Sequence, residues 1–511
     1  MKKLRLAPLS LSLVMAASLF TGCGKTEDKK TASTAQASTA TQAPKRTQPV
    51  TLDVALVSWG TKIPAEDADF IRKEIRDAIK VDVKLMTVDS FEDYKNQLNM
   101  KIASGSAPDY FQMPDRNALI QYATTGALME ATSIESKLDK YMAFIKDEHK
   151  RTYYNGKSYG IAKKANINYL GLWVRKDWID AAGVKAPTTP QEFLDVAKVF
   201  TEKDPDGNGR KDTFGVTGIK HQAFSSVFGA FGVPFDTAQI YVKDGKATAA
   251  FLEPGYKEAL EFCKKFIEAG VVDPDFMLNT GSSQRDAKLY SGKYGMTATD
   301  WTTFTKDENA PKVKAGDPKA EWVQIPALRG SGGQYVSHID VGNGTVFGIS
   351  KSVEKNTEKL NAVIDLINYI SSDGNKLVMY GLKDKHWKEE GGKIMMTETG
   401  AKESGYSWLY QFTGRPETEY LMTKFAKQAS YIEAAGKNPV ITTLTGYVDK
   451  PQNYMHSDAQ KYMDEELSKF LYGKRPMSEY DSFAKTVMET YNFKAYLDQA
   501  QKQFKELGYI K

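Results

Sequence analysis

The run Thr51-Leu52-Asp53-Val54-Ala55-Leu56-Val57-Ser58 places apolar side chains at positions 52, 54 and 56, which predicts a strand with one buried face. Phe70, Ile71, Ile75, Ala78 and Ile79 then recur at helical spacing. Val81, Val83 and Leu85 alternate as a second strand, and Tyr94, Leu98 and Ile102 mark a second helix. Pro108-Asp109-Tyr110-Phe111-Gln112-Met113 reads as a third strand, followed by a helix from about Asn117. This alternation is βαβαβ. Parallel strands need a crossover, a helix supplies it, and the expected fold class is therefore α/β with a mostly parallel, doubly wound sheet.

Outward from this unit, residues 169–175 read as a strand leaving it, and helices are expected over 190–200 and 255–269. A strand-like stretch follows at 338–349, then a helix carrying Leu360, Val363, Ile364, Ile367 and Ile370. The last hundred residues read as mostly helical, with Phe470, Leu471, Phe483, Val487 and Leu497 as core candidates. No repeat of fixed period is present. Two α/β lobes are expected: 50–168 with about 340–400, and 169–339 with about 401–511.

The N-terminal segment has a different logic. Lys2, Lys3 and Arg5 precede an apolar run over 6–20, and Phe20-Thr21-Gly22-Cys23 follows. The run is shorter than the roughly 20 residues a membrane-spanning helix needs, so residues 1–22 are expected to be an export signal. Small residues before a cysteine resemble the bacterial lipobox, in which that cysteine is diacylated and becomes the new N-terminus. Phe20 departs from the Leu usual in that pattern. The chain has two cysteines, Cys23 and Cys263, so no disulfide framework supports it. Cys263 shares helical spacing with Tyr256, Leu260, Phe266 and Ile267 and is expected on a buried face, which leaves Cys23 for the lipid. Residues 24–49 contain no aromatic side chain and are rich in Thr, Ala, Ser, Gln and Lys. Residues 23–49 are therefore expected to be a solvated tether that holds the body about 30 Å from the lipid, at the extracellular face of the cell membrane.

The formal net charge of +5 includes three cations of the export signal, and no dense basic stripe follows, which argues against nucleic acid as a partner. The sharpest local motif is Asp204-Pro205-Asp206-Gly207-Asn208-Gly209-Arg210-Lys211-Asp212. Asp204, Asp206, Asn208 and Asp212, with the carbonyl of Arg210, match the oxygen ligands of an EF-hand calcium loop, and Gly209 matches its sharp turn. Position 12 is Gly215 where that loop has a bidentate Glu, so a single structural Ca²⁺ site is expected and not an EF-hand pair. Enzyme motifs are missing: the five histidines are scattered, and there is no HExxH pair, nucleophile elbow or P-loop.

The order of several motifs resembles one family. Besides the lipobox and tether, these are Val57-Ser58-Trp59, Ala103-Ser104-Gly105-Ser106-Ala107-Pro108-Asp109, Leu172-Trp173-Val174-Arg175-Lys176-Asp177-Trp178, Pro187-Thr188-Thr189 and Tyr472-Gly473-Lys474. The chain is similar to the extracellular solute-binding lipoproteins of bacterial ABC importers, in the large oligosaccharide-binding branch of family 1. That resemblance implies a periplasmic-binding-protein-like fold of type II, with two lobes joined by crossing hinge strands. It also implies a monomer without catalysis that closes over a sugar chain and hands it to a permease. A cell-surface glycosidase or polysaccharide lyase, and a carrier of peptides or another solute, are the alternatives.

Sugar binding asks for aromatic faces flanked by polar groups, placed beyond the carboxyl ends of strands. Trp59 past the first strand, Asp115 and Arg116 past the third, and Asp300-Trp301 after another strand are the expected ligand residues. Trp408 and Arg415 join them from an aromatic stretch over 405–416. Trp173 and Trp178 are assigned to structure. Arg116 and Arg415 would suit a uronate carboxylate.

Overall fold

The computed structural model describes residues 46–511 apart from Asn166, so the export signal, Cys23 and most of the tether lie outside the described residues. The opening alternation folds as β1 (Val50–Val57), α1 (Phe70–Ile79), β2 (Val81–Val88), α2 (Phe91–Ala103), β3 (Tyr110–Gln112) and α3 (Arg116–Thr124). Asp69, Ser90 and Asp115 start the three helices by accepting from the backbone N–H of Arg72, Asp93 and Ala118. β1 lies parallel to β2 from Val50↔Val81 to Val57↔Val88, and parallel to β3 at Val54↔Tyr110.

After β4 (Ile161–Ala162) the chain crosses to a second sheet, built from β5 (Leu170–Arg175), β6 (Phe214–Val216), β7 (Tyr294–Asp300) and β8 (Trp322–Ile325) in the order β8-β5-β7-β6. It returns with β9 (Val346–Ile349), and the first sheet has the order β2-β1-β3-β9-β4. β5 is antiparallel to both its neighbours, and so is β9. A strand delivered from the other lobe needs no βαβ crossover, so nothing imposes the parallel direction there. The stretch 338–349 divides accordingly. Ser337–Asp340 pairs with Val440–Thr443 in a separate ribbon, and β9 alone enters the first sheet.

Leu52, Val54, Ile71, Ile75, Val81 and Val83 pack with Val363, Ile367 and Ile370 of the helix Thr357–Ile370 around the first sheet. The second lobe is built on Phe193, Phe228, Tyr256 and Phe266 with the C-terminal helices His456–Leu471, Tyr480–Glu489 and Phe493–Glu506. Cys263 is fully buried there and its thiol is pushed well up by burial, the state of an inert small hydrophobe. Trp173 and Trp178 are also fully buried. One boundary differs from the sequence expectation, which gave everything after about 401 to the second lobe. Tyr406, Leu409, Tyr410 and Phe412 pack in the first-sheet core. Buried Asp69 draws them there by accepting from the hydroxyls of both Tyr406 and Tyr410. Tyr420, Leu421, Ile432 and Ala435 then join Trp173 and Trp301 on the other lobe, so the chain crosses a third time at 413–416. Among the described residues no helix is long and apolar enough to cross a membrane.

Candidate functional site

The three crossings lie side by side. Lys163 N donates to Thr345 O at 2.8 Å, and Lys164 N donates to Thr413 O at 2.9 Å. The buried Arg151 guanidinium ties two of them together, giving Nε to Val341 O at 2.9 Å and Nη1 to Lys163 O at 3.0 Å. Gly414 has φ +85° and would set a Cβ 2.7 Å from Lys164 N, so the third crossing can approach this closely only as glycine.

Over this floor lie two adjoining cavities that share Lys163 and Trp408. One, of about 100 Å³, is bounded by Trp59, Gln112, Thr345 and Gln411. The other, of about 280 Å³, is bounded by Arg415, Glu417, Tyr420 and Phe425. Lys424 and Phe425 continue into a third space of about 1260 Å³, walled by Lys393, Met395 and Met422. The shared lining residues set the three side by side as one row, called the groove below.

The groove is strongly polar in its middle. Arg415 gives Nε and Nη2 to Glu417 at 2.6 and 2.9 Å and Nη1 to Gln411 Oε1 at 2.7 Å, with its guanidinium carbon 3.8 Å from the Tyr420 ring centre. Burial alone would lower its pKa, but the Glu417 hydrogen bond and charge raise it above the ordinary arginine value. Tyr169, on the first crossing, donates to Glu417 as well, and burial beside that carboxylate pushes its hydroxyl up. Lys164 gives Nζ to Phe144 O at 2.7 Å, and Lys424 gives Nζ to Tyr420 Oη at 2.9 Å. Lys163 makes no side-chain hydrogen bond or ion pair among the described residues, and burial, aided by the Arg415 charge, lowers it to about 8.

Trp59, Trp408 and Arg415 are thus brought together. Trp59 is 65% exposed, has φ 49° and stacks on Phe91 at 6.2 Å with the rings 2° from parallel, and it lines the smallest cavity. The remaining predicted residues do not line these cavities. Asp115 is spent on the cap of α3. Arg116 pairs with Asp449 at 2.6 Å and donates to the carbonyls of Arg151 and Tyr153. Asp300 accepts from Thr302 N at 2.8 Å, with its carboxyl raised by burial. Trp301 is 2% exposed and its ring centre lies 5.4 Å from that of Phe425, so it shows no face to a ligand in this form. β7 ends at Asp300 and a short helix begins at Thr302, which turns Trp301 inward. Lys163, Gln112, Gln411, Tyr420 and Phe425 were missed. Lys163 follows β4 directly, so the strand-end rule would have found it had a two-residue strand been legible.

Among the described residues no three His, Cys, Asp or Glu side chains are gathered as a metal cluster. The loop 204–212 comes nearest in chemistry, since its donors are hard oxygens. Asp204 accepts from Asn208 N and Gly209 N, while Asp206 and Asp212 both accept from the Asn208 side-chain amide. Burial and the neighbouring Asp204 raise the Asp206 carboxyl. Gly215, at position 12, sits in β6 where a Cβ would lie 2.5 Å from Ala197 Cα, so no glutamate fits there.

The profile of bacterial extracellular solute-binding proteins matches residues 65–377, more than half of the chain. The chain belongs to that family. It is 25% identical to Lipoprotein LipO of Bacillus subtilis over 82% of each chain. It is 27% identical to the polygalacturonan/rhamnogalacturonan-binding protein YtcQ of the same organism, over 58% of this chain and 59% of that one. Among solved structures, an EF-hand mutant of the Streptococcus pneumoniae ABC-transporter substrate-binding protein FusA, in complex with fructo-nystose, superposes with a TM-score of 0.63. That likeness covers 89% of this chain and 99% of FusA at 21% identity, and it establishes the type II periplasmic-binding-protein-like fold. The members of the family are binding proteins, not enzymes.

Proposed function

We propose that this solute-binding protein captures an oligosaccharide in the groove between its lobes and delivers it, chemically unchanged, to the permease of an ABC importer. The observation that carries this reading is the row of adjoining cavities. Three cavities in series, with the faces of Trp59, Trp408 and Phe425 along them, suit a chain of rings better than one small solute. Glutamine and cationic side chains between the aromatics suit hydroxyl-rich ligands. The names of YtcQ and FusA support the same class of ligand. Titration of the full-length chain with a panel of oligosaccharides, read by tryptophan fluorescence and followed by chromatography of the recovered sugar, tests it. Binding with chain lengths unchanged is expected; shortened chains would turn the reading to a glycosidase or lyase.

Two features accompany this role. The loop 204–212 holds a structural Ca²⁺ through Asp204, Asp206, Asn208, Asp212 and the Arg210 carbonyl, remote from ligand contact. The protein is a monomer carried on the extracellular face of the membrane by a lipid on Cys23, for which Cys23→Ser should release it from the membrane fraction.

A further inference from the structure

Four cations and one carboxylate line the middle cavity: Lys163, Lys164, Arg415, Lys424 and Glu417. Three of those cations already have oxygen or carboxylate partners at 2.6–2.9 Å. Glu417 is itself consumed by Arg415 and the Tyr169 hydroxyl. Lys163 is different. It is partly buried, stands where the first two cavities meet, and has no acceptor for its ammonium among the described residues. The nearby glutamine oxygens are already engaged, Gln112 Oε1 by Val57 N and Gln411 Oε1 by Arg415, and neither accepts from Lys163. A partly desolvated charge without a partner is costly, and a carboxylate compensates it better than a neutral hydroxyl does, because charge-assisted hydrogen bonds are roughly twice as strong.

We propose that the groove is built for an acidic oligosaccharide, one carrying uronate carboxylates, and that Lys163 receives a carboxylate between the stacking positions of Trp59 and Trp408. This inference rests on the oligosaccharide reading above. It moves the anion contact away from Arg116 and Arg415, which the sequence suggested and which the fold has committed to Asp449 and Glu417.

The free ammonium titrates near pH 8, because burial disfavours its charge. A bound carboxylate raises that value, so acid-sugar affinity is complete below pH 8 and falls as pH rises through it, by up to tenfold per unit.

The test is calorimetric titration of the full-length chain with trigalacturonate and trimannuronate, with their methyl esters, and with neutral trisaccharides. Wild type, Lys163→Met and Lys163→Arg are compared between pH 6.5 and 9. At least one acid is expected to bind ten times or more tighter than its ester. Lys163→Met should erase that preference, and Lys163→Arg should keep it with a flat pH profile, since guanidinium stays charged. Neutral sugars bound as tightly as the acids, and equally by Lys163→Met, would overturn the acidic assignment and leave the oligosaccharide reading intact. Folded protein that binds no sugar of any kind would overturn both.

Discussion

At the residue scale, exposure separates tryptophans that can meet a ligand from those that cannot. Trp59 and Trp408 border the groove, and Trp59 keeps most of its surface in solvent, so it contributes little to the core. Trp59→Ala and Trp408→Ala should each cost about 1–3 kcal/mol of oligosaccharide binding, the scale of burying a large apolar side chain. That is roughly a tenfold to hundredfold loss of affinity. Trp59→Ala should leave the melting temperature nearly unchanged. Trp301→Ala should do the reverse, lowering stability by about 3–5 kcal/mol through the cavity it opens beside Phe425. Urea melts alongside fluorescence titrations decide it: Trp59→Ala that unfolds easily yet binds normally would remove that ring from the site.

At the element scale, the loop 204–212 and the crossings are turns held on a rigid frame. The loop joins the helix Pro190–Glu202 to β6, and burial, together with the neighbouring Asp204, raises the Asp206 carboxyl, a cost that a hard cation would offset. Ca²⁺ that binds only the folded loop adds stability by mass action, about 2.7 kcal/mol at a hundredfold excess over Kd. Calcium should therefore raise the melting temperature of wild type and not of Asp206→Ala, with sugar affinity altered little. A melting temperature indifferent to chelation of a verified metal-loaded sample would count against the site. The second crossing is pinned in a comparable way. Asp340 accepts from Gly342 N and Gly446 N, both at 2.9 Å, and its carboxyl is pushed up to about 6 by burial.

At the scale of the whole molecule, the lobes are tied at points outside the groove. Arg116 begins α3 of the first lobe, and its partner Asp449 is fixed by Gln503 Nε2 at 2.7 Å on the last helix of the second. Both side chains are only 17% exposed, so removing either leaves the other's charge poorly solvated and without its ion-pair partner. Arg116→Ala should destabilise the protein by about 2 kcal/mol, the range for a hydrogen bond to a charged group plus the partner left behind. Asp449→Ala should cost a similar amount, and the double variant little more than either single one. Additive losses in urea unfolding would show that the two residues act independently.

Fold class was legible in the residues, because periodicity two and periodicity near 3.6 are local properties of Leu52-Val54-Leu56 and of Phe70 to Ile79. Motifs kept in order along the chain also gave the family, and three of the residues singled out past strand ends or in an aromatic turn, Trp59, Trp408 and Arg415, line the cavities. The tertiary structure alone decided which charges are free. Arg116 and Asp449 are 333 positions apart, Tyr169 and Glu417 are 248 apart, and no local pattern announces either pair. Trp301 is buried outside the row of cavities for a related reason: whether a ring after a strand faces the cleft or the core depends on the helix that packs behind it. Lys163 became visible only once three distant crossings, at 163, 345 and 413, were hydrogen-bonded into one floor. An unpaired charge is a statement about every neighbour at once, and only the folded chain supplies them.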